Sequence, residues 1–268
     1  MVHRDNLGSV QLPLDNVGDY ADVAVGQGGA EPAGQVYDFH THYRTQLFQI
    51  VSGSLRLETD KGCFVVPPER AIFVPSGVSH RVTYLQPTER SYLFFRPDTV
   101  KHLPSTVSVI RTTTLLRELI LAFLEYPRAE AGSPPAERLV QVILDQLSAS
   151  PIAPLYLPMP STIRLRSIAV ELRNDPGRDV ALSELARRAA MSPRSFQRHF
   201  QAETGLTFRA WRQQAKLVKA VEWLAAARSV GDIAFLLGYS GSSAFVAAFR
   251  EAFGVSPGRY FQVLPRAT

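Results

Sequence analysis

The chain has 268 residues, 46% hydrophobic and 20% charged, long enough for two ordinary domains with separate cores and too apolar for a disordered or fibrous protein. No run approaches the ~18 consecutive apolar residues of a membrane span, and residues 1–11 lack the apolar core of a secretory leader, so a cytoplasmic protein without a membrane partner is expected. The net charge of +5 averages two unlike halves, since residues 1–160 carry 13 basic and 16 acidic side chains and residues 161–268 carry 16 and 8; a basic excess confined to one half suits a unit that meets a polyanion beside one that does not.

The first ordered region predicted runs from Gln35 to about Arg96, with short strands at 47–51, 54–59, 63–66, 71–74, 81–85 and 92–95. Gly53, Gly62, Pro67, Pro68, Pro75 and Gly77 separate them, a rhythm that predicts an all-β sandwich or barrel. The one cysteine, Cys63, excludes an intramolecular disulfide and has no CxxC partner. His40, His42 and Gln46 share one parity, so an unbroken strand would point all three inward. Gly53 follows at a fixed distance, and a second group, Pro75, Gly77 and His80, comes later.

In order and spacing these two groups resemble the cupin motifs HxH-x₃₋₄-E-x₆-G and PxG-x₂-H. The resemblance implies a double-stranded β-helix and metal-ligand roles for His40, His42 and His80. Gln46 departs from it, standing where those motifs carry a glutamate. A neutral amide oxygen is a poorer ligand than a carboxylate, which favours an imidazole-preferring ion such as nickel or zinc. Two other readings stay open: a barrel that serves as a small-molecule pocket and dimer scaffold, and histidines that are hydrogen-bonded core residues.

Next, Leu116, Leu119, Ile120, Phe123 and Leu124, then Leu139, Val142, Ile143 and Leu147, recur at helical spacing. They predict two amphipathic helices, which either pair across a homodimer or pack back onto their own barrel. Prolines 151, 154, 158 and 160 predict an extended connector. The expected division is a sensor domain at 1–105, connector helices at 106–150, a linker at 151–160 and a DNA-binding domain at 161–268.

Ile163, Leu165, Ile168, Ala169 and Leu172 open a run of helices in which the sequence repeats itself. Leu182, Ala186, Met191 and Ser192 align with Val230, Ala234, Tyr239 and Ser240 at an offset of 48; Phe196, Phe200 and Gly205 align with Phe245, Phe249 and Gly254 at 49. A repeated apolar frame with a short polar break predicts two helix-turn-helix units, at about 180–204 and 229–253. Ser192-Pro193 and Ser256-Pro257 predict N-caps with proline at the first helical position, and Ser229 with Asp232 predicts a capping box.

From about Ile163 to Gln262 this half resembles the DNA-binding domain of the AraC/XylS family. The segment containing Ala234, Gly238, Tyr239 and Ser240 and the ending Phe253, Gly254, Ser256, Pro257 and Tyr260 carry the likeness. It implies one long helix, about 208–227, bridging the two units, with recognition helices in major grooves about one turn, ~34 Å, apart. With Phe196 and Phe200 facing the core, Arg194, Ser195, Arg198 and His199 are the candidate DNA contacts of the first unit. Arg198 is the chosen base reader, because a guanidinium matches guanine bidentately. In the second unit Phe245 and Phe249 turn inward, leaving Gly241, Ser242, Ser243, Val246 and Arg250, a surface suited to phosphate contacts and thymine methyls. Lys216, Lys219 and Arg228 read as solvent-facing or phosphate-contacting.

The fold expected is therefore an α+β two-domain chain: a cupin-like barrel with two following helices, then an all-α tandem helix-turn-helix domain. The function expected is a non-enzymatic transcription regulator responding to a metal ion or small molecule, with promoter DNA, a second copy of the chain and, for an activator, RNA polymerase as partners. A metal-dependent cupin enzyme tethered to a DNA-binding module is the competing reading, opposed by Gln46 and by the absence of an evident general base. A third is an adaptor whose inert barrel serves only to dimerise.

Overall fold

Two five-stranded antiparallel sheets of short strands close against one another over a shared apolar core. The computed structural model describes residues 22–127, 130 and 132–260; residues 1–11 and positions 261 and 262 of the repeat region lie outside them. The strands are β1 (Ala24–Glu31), β2 (Val36–His40), β3 (Thr45–Ser52), β4 (Leu55–Thr59), β5 (Gly62–Val66), β6 (Arg70–Val74), β7 (His80–Tyr84), β8 (Thr88–Phe95), β9 (Ser108–Arg111) and β10 (Tyr156–Pro158). One sheet runs β1-β8-β3-β6-β9 and the other β10-β5-β4-β7-β2. Phe48, Ile50, Val74, Tyr92 and Phe94 of the first meet Leu55, Leu57, Val66, Val82 and Tyr84 of the second in one core.

The first sheet is apolar on its outer face as well. Leu47, Ala71, Phe73, Leu93 and Phe95 are covered by α1 (Thr114–Leu124) and α2 (Pro134–Ala149) through Leu116, Ile120, Phe123, Val140, Ile143 and Leu144. Both faces of β3 (over residues 45–50) and of β6 are therefore buried without alternation; residues 71–74 of β6 read as the continuous apolar run this favours, while β3 carries the buried polar side chains Gln46 and Gln49. The buried parts of both stripes thus pack on their own barrel, whereas Val142 of the second stripe is exposed. Thr113 caps α1 by accepting from the Leu116 N–H at 3.1 Å.

Residues 151–160, read as a connector, contribute β10 to the second sheet, with Leu157 opposite Cys63 on β5. Pro158 is tolerated there because β10 is an edge strand, where a missing N–H breaks no ladder.

The second half is helical: α3 (Ile163–Asn174), α4 (Leu182–Arg188), α5 (Pro193–Thr204), α6 (Phe208–Ala225), α7 (Val230–Leu236) and α8 (Ser242–Phe253). Phe196, Phe200 and Trp211 fill the first unit and Phe245, Phe249 and Tyr260 the second; each fully buried phenylalanine contributes about 1.5–3 kcal/mol. Ser192 accepts from the Ser195 N–H at 3.2 Å, and Ser229 accepts from the Asp232 N–H at 3.1 Å. Ser256-Pro257 differs from expectation. It opens a 3-10 turn, Pro257–Arg259, in which the Ser256 carbonyl rather than its hydroxyl accepts from the Arg259 N–H at 3.0 Å. The bridging helix α6 ends at Ala225, two residues before Ala227 takes a left-handed φ of 57°.

The two halves touch. Trp211 Nε1 and Gln214 Nε2 on α6 donate to the Pro158 and Tyr156 carbonyls at 2.6 and 2.8 Å. Arg173 on α3 donates to Glu58 on β4 at 2.5 Å, and Arg166 donates to the Thr59 and Asp60 carbonyls. Among the described residues no helix is long and apolar enough to cross a membrane.

Candidate functional site

His40 closes β2 and stands opposite His80, the first residue of β7, across an irregularity in the register. The strand stops there. Residues 41–44 carry the chain to the other sheet and β3 begins at Thr45, so the unbroken strand expected for His40, His42 and Gln46 does not form. His42 joins the cluster from this crossover instead. Three hydrogen bonds hold the crossover to the Pro75–His80 turn: Gly77 N–H to His42 O at 2.9 Å, Ser76 Oγ to Tyr43 O at 2.5 Å, and Ser76 N–H to Thr45 Oγ1 at 3.3 Å. Gly77, at φ 76°, supplies the left-handed residue that this turn needs.

The three imidazoles consequently pack together. Ring centroids lie 4.4 Å apart for His40 and His80, 4.8 Å for His40 and His42, and 5.0 Å for His42 and His80. One nitrogen from each falls within 4.8 Å of the others. His80 Nδ1 lies 2.9 Å from the Val78 carbonyl and His40 Nδ1 lies 2.6 Å from the Asp38 carbonyl. A carbonyl accepts only from N–H, so both rings carry a proton on Nδ1, which in the neutral ring puts the lone pair on Nε2. The Nε2 of His80 is buried without a partner. Burial lowers its pKa to about 4, keeping the ring neutral, as a ligand must be.

Gln46 lies on the inward face of β3 with Phe48 and Ile50, fully buried, and neither its Oε1 nor its Nε2 has a partner. In register it stands beside Phe94, whose ring is 5.5 Å from His42. Tetrahedral ligands ~2.0–2.1 Å from zinc are about 3.3 Å apart, so this cluster is open by no more than about 1.5 Å. The donor set fits a d-block cation. It also fits a ligand that donates hydrogen bonds to imidazole nitrogen.

Elsewhere in the barrel, sequence reasoning missed a second polar group. Arg90 donates to Glu31 at 2.6 Å with its guanidinium 3.9 Å from the Tyr92 ring centre. Tyr37 donates to Glu31 at 3.1 Å, and the Tyr84 and Tyr92 hydroxyls are 2.5 Å apart. Burial pushes the Tyr84 phenol up to about 12. The available signal was parity, because Arg90 shares the inward face of β8 with Tyr92 and Phe94.

On the helical half, α5 and α8 each bury two phenylalanines and turn the opposite face outward. Arg194, Arg198 and His199 are exposed; Ser195 is half-buried and engaged with Ser192 in the helix cap. Gln201, which was not singled out, shares the outward face with Arg194 and Arg198. On α8, Ser242, Ser243 and Arg250 are exposed and Val246 is half-buried, while Ala247, also overlooked, points most directly outward. Helical steps of 100° from the phenylalanines would have found both. Nearby arginines are neutralised, Arg187 by Glu184 and Arg188 by Glu171. No ion pair engages Arg194, Arg198 or Arg250 among the described residues. Lys216 and Arg228 lie over the rings of Tyr239 and Trp223, and Lys219, read as solvent-facing or phosphate-contacting, bonds Glu222 at 2.7 Å at the contact between the halves.

Residues 28–156 match the AraC-like ligand binding domain family, and residues 185–262 match a helix-turn-helix domain family. The chain is 34% identical over 221 residues to the HTH-type transcriptional regulator NimR of Escherichia coli, covering 82% of this chain and 81% of that one. It is 42% identical over 83 residues to the transcriptional activator NphR of a Rhodococcus species, 31% of this chain and 24% of that one. Among solved structures, ToxT of Vibrio cholerae overlaps 90% of this chain and 99% of its own at 11% identity and a TM-score of 0.38.

Proposed function

The chain belongs to the AraC/XylS family of DNA-binding transcription regulators and carries an N-terminal ligand-binding domain, and on that premise we propose that a transition-metal ion such as nickel or zinc, held by His40, His42 and His80, sets how α5 and α8 engage promoter DNA. One observation carries the metal: three imidazole nitrogens within 4.8 Å, two of them on rings whose tautomers leave Nε2 free to ligate. Bound there, an ion would supply a fixed cross-link among β2, the crossover and β7. Gln46 is the candidate fourth, weak ligand.

On the DNA side, Arg194 and Arg198 carry charge that no carboxylate among the described residues pairs with, on a face that two buried phenylalanines aim outward. Arg198 is assigned base readout, with Arg194, Ser195 and His199 around it. Ser242, Ser243, Val246 and Arg250 form the second, less polar surface; Gln201 on α5 joins the first and Ala247 on α8 the second. The regulator works where promoter DNA is, in the cytoplasm, either as one chain or as a homodimer, with RNA polymerase as a further partner if it activates.

Selection of preferred sequences from random duplex DNA by the full chain, before and after metal stripping and re-addition of nickel or zinc, tests this. Enrichment of a bipartite site with half-sites about one turn apart is expected, with affinity that changes when the ion returns. Enrichment indifferent to either ion would overturn the metal assignment and leave the regulator.

A further inference from the structure

The segment that leads into His80 also lines a cavity of about 690 Å³, within the ~300–1,000 Å³ usual for small-molecule sites. Its walls are Phe64, Val78, Val107, Val109, Ala153 and Tyr156. Two charged residues, Asp60 and Lys61, contribute to the lining; they are opposite in sign and exposed. The remaining polar groups are uncharged hydroxyls such as those of Thr59 and Ser79. Neither charge is buried and the two oppose each other, so the lining offers an ionic guest little return for its lost hydration and favours a neutral one.

One wall belongs to the segment between the halves. The Tyr156 ring stacks on Phe64, centroids 4.6 Å apart and planes 27° apart, and its hydroxyl donates to Lys61 O at 2.9 Å. A side chain at Gly62 would run into that ring, so Tyr156 lies directly on the β5 backbone. The Tyr156 carbonyl accepts from Gln214, and the Pro158 carbonyl two residues on accepts from Trp211. Both donors are on α6, the helix that joins the two helix-turn-helix units. A single three-residue strand therefore faces the cavity on one side and holds the bridging helix on the other.

We propose that this cavity binds a neutral, largely apolar, ring-containing small molecule against Tyr156, and that β10 passes its occupancy to α6. The proposal rests on the reading of the barrel as the effector-binding half of a regulator, and names a ligand class and a route distinct from the imidazole cluster. A guest ring in contact with Tyr156 displaces or pins it. Because Gln214 and Trp211 hang from the same strand, α6 cannot ignore the change.

The chain holds two tryptophans, so W223F leaves Trp211 as the sole reporter on β10. The full-length variant is titrated with prodan, a neutral naphthalene dye, and with the charged dye ANS. Expected are one saturable prodan site with blue-shifted emission, a concurrent shift of Trp211 emission, and at least tenfold weaker ANS binding. Ala153→Phe, which fills the cavity, weakens prodan at least tenfold; should it fail to fold by near-ultraviolet circular dichroism, Val107→Phe decides. Absence of a saturable site, or affinity unmoved by filling, overturns the site; saturation without a Trp211 shift overturns the route. DNA selection is read separately. A chain that binds prodan this way but selects no DNA would sink the regulator mechanism and keep the cavity, and the opposite result would do the reverse.

Discussion

Arg56 Nη2 on β4 donates to both carboxylate oxygens of Glu222 on α6, at 3.0 and 3.2 Å, so the barrel grips the helix that spaces the two helix-turn-helix units. Lys219 reaches the same carboxylate at 2.7 Å, and all three side chains are largely buried. Removing the anion strands two cations in a poorly solvated contact, which typically costs about 3–5 kcal/mol. Glu222→Ala is therefore expected to lower the urea midpoint by that equivalent, and Arg56→Met, which leaves the Lys219 pair intact, by clearly less. A loss under about 1 kcal/mol for Glu222→Ala, at unchanged m-value, would show that the halves part freely in solution.

Arg198 is exposed, points away from Phe196 and Phe200, and has no carboxylate partner among the described residues. If its guanidinium reads a guanine, Arg198→Ala should cost about 1–3 kcal/mol of DNA binding and relax preference at one base position, with lysine failing to restore it. Competition binding against single-base variants of the selected site checks this. A uniform loss across all sequences with a shallower salt dependence would make Arg198 a phosphate contact instead.

The two turns of the repeat place Ala190 and Gly238, 48 residues apart, in the left-handed region at φ 57° and 68°. Each lets the next N–H reach back five residues, Met191 to Ala186 and Tyr239 to Ala234, at 2.9 and 3.0 Å. A Cβ in that conformation costs about 1–2 kcal/mol, partly offset because alanine is less flexible than glycine in the unfolded chain. Ala190→Gly should stabilise the protein by about 0.5–1 kcal/mol. Gly238→Ala should cost about 1 kcal/mol or more, because its new Cβ also comes within 3.2 Å of Gly177 O. Equal and opposite shifts in urea midpoint are not expected; a destabilising Ala190→Gly would refute the argument from backbone strain.

The helical half was legible because its signals are local. Phe196 and Phe200, and their counterparts Phe245 and Phe249, announce both the buried face and, by subtraction, the free one. In the barrel, Gln46 and Gln49 interrupt the apolar residues of β3 and concealed that the strand is buried on both faces, and parity across residues 40–46 suggested a strand where the chain crosses between sheets. His40, His42 and His80 meet nonetheless, because the hydrogen-bonded turn at Ser76 and Gly77 brings their segments together. β10 escaped notice since prolines suppress the usual strand signal, and its pairing with β5 lies more than ninety residues away. The Arg56–Glu222 contact spans the two halves and has no sequence signature at all.

Gln46 offers the sharpest test of the metal assignment. Its amide is fully buried with no hydrogen-bond partner, on the barrel face beside Phe94 and so near His42. Gln46→Glu places a carboxylate there at almost constant volume. Without an ion, that charge has no solvent and no cation, so the metal-free variant should be less stable than the parent by about 1–3 kcal/mol. With zinc or nickel it becomes a better ligand than the amide, so at least tenfold tighter binding is expected. Ligand stabilisation grows as RT ln(1 + [L]/Kd), and tenfold is about 1.4 kcal/mol; the rise in melting temperature on adding zinc should therefore be larger for the variant than for the parent. His80→Ala should abolish the rise, and His102→Ala, at an exposed position, should leave it intact. If Gln46→Glu destabilises the metal-free chain yet gains nothing extra from zinc, no ion sits within reach of residue 46; if the parent itself gains nothing from either ion, the three imidazoles are core residues.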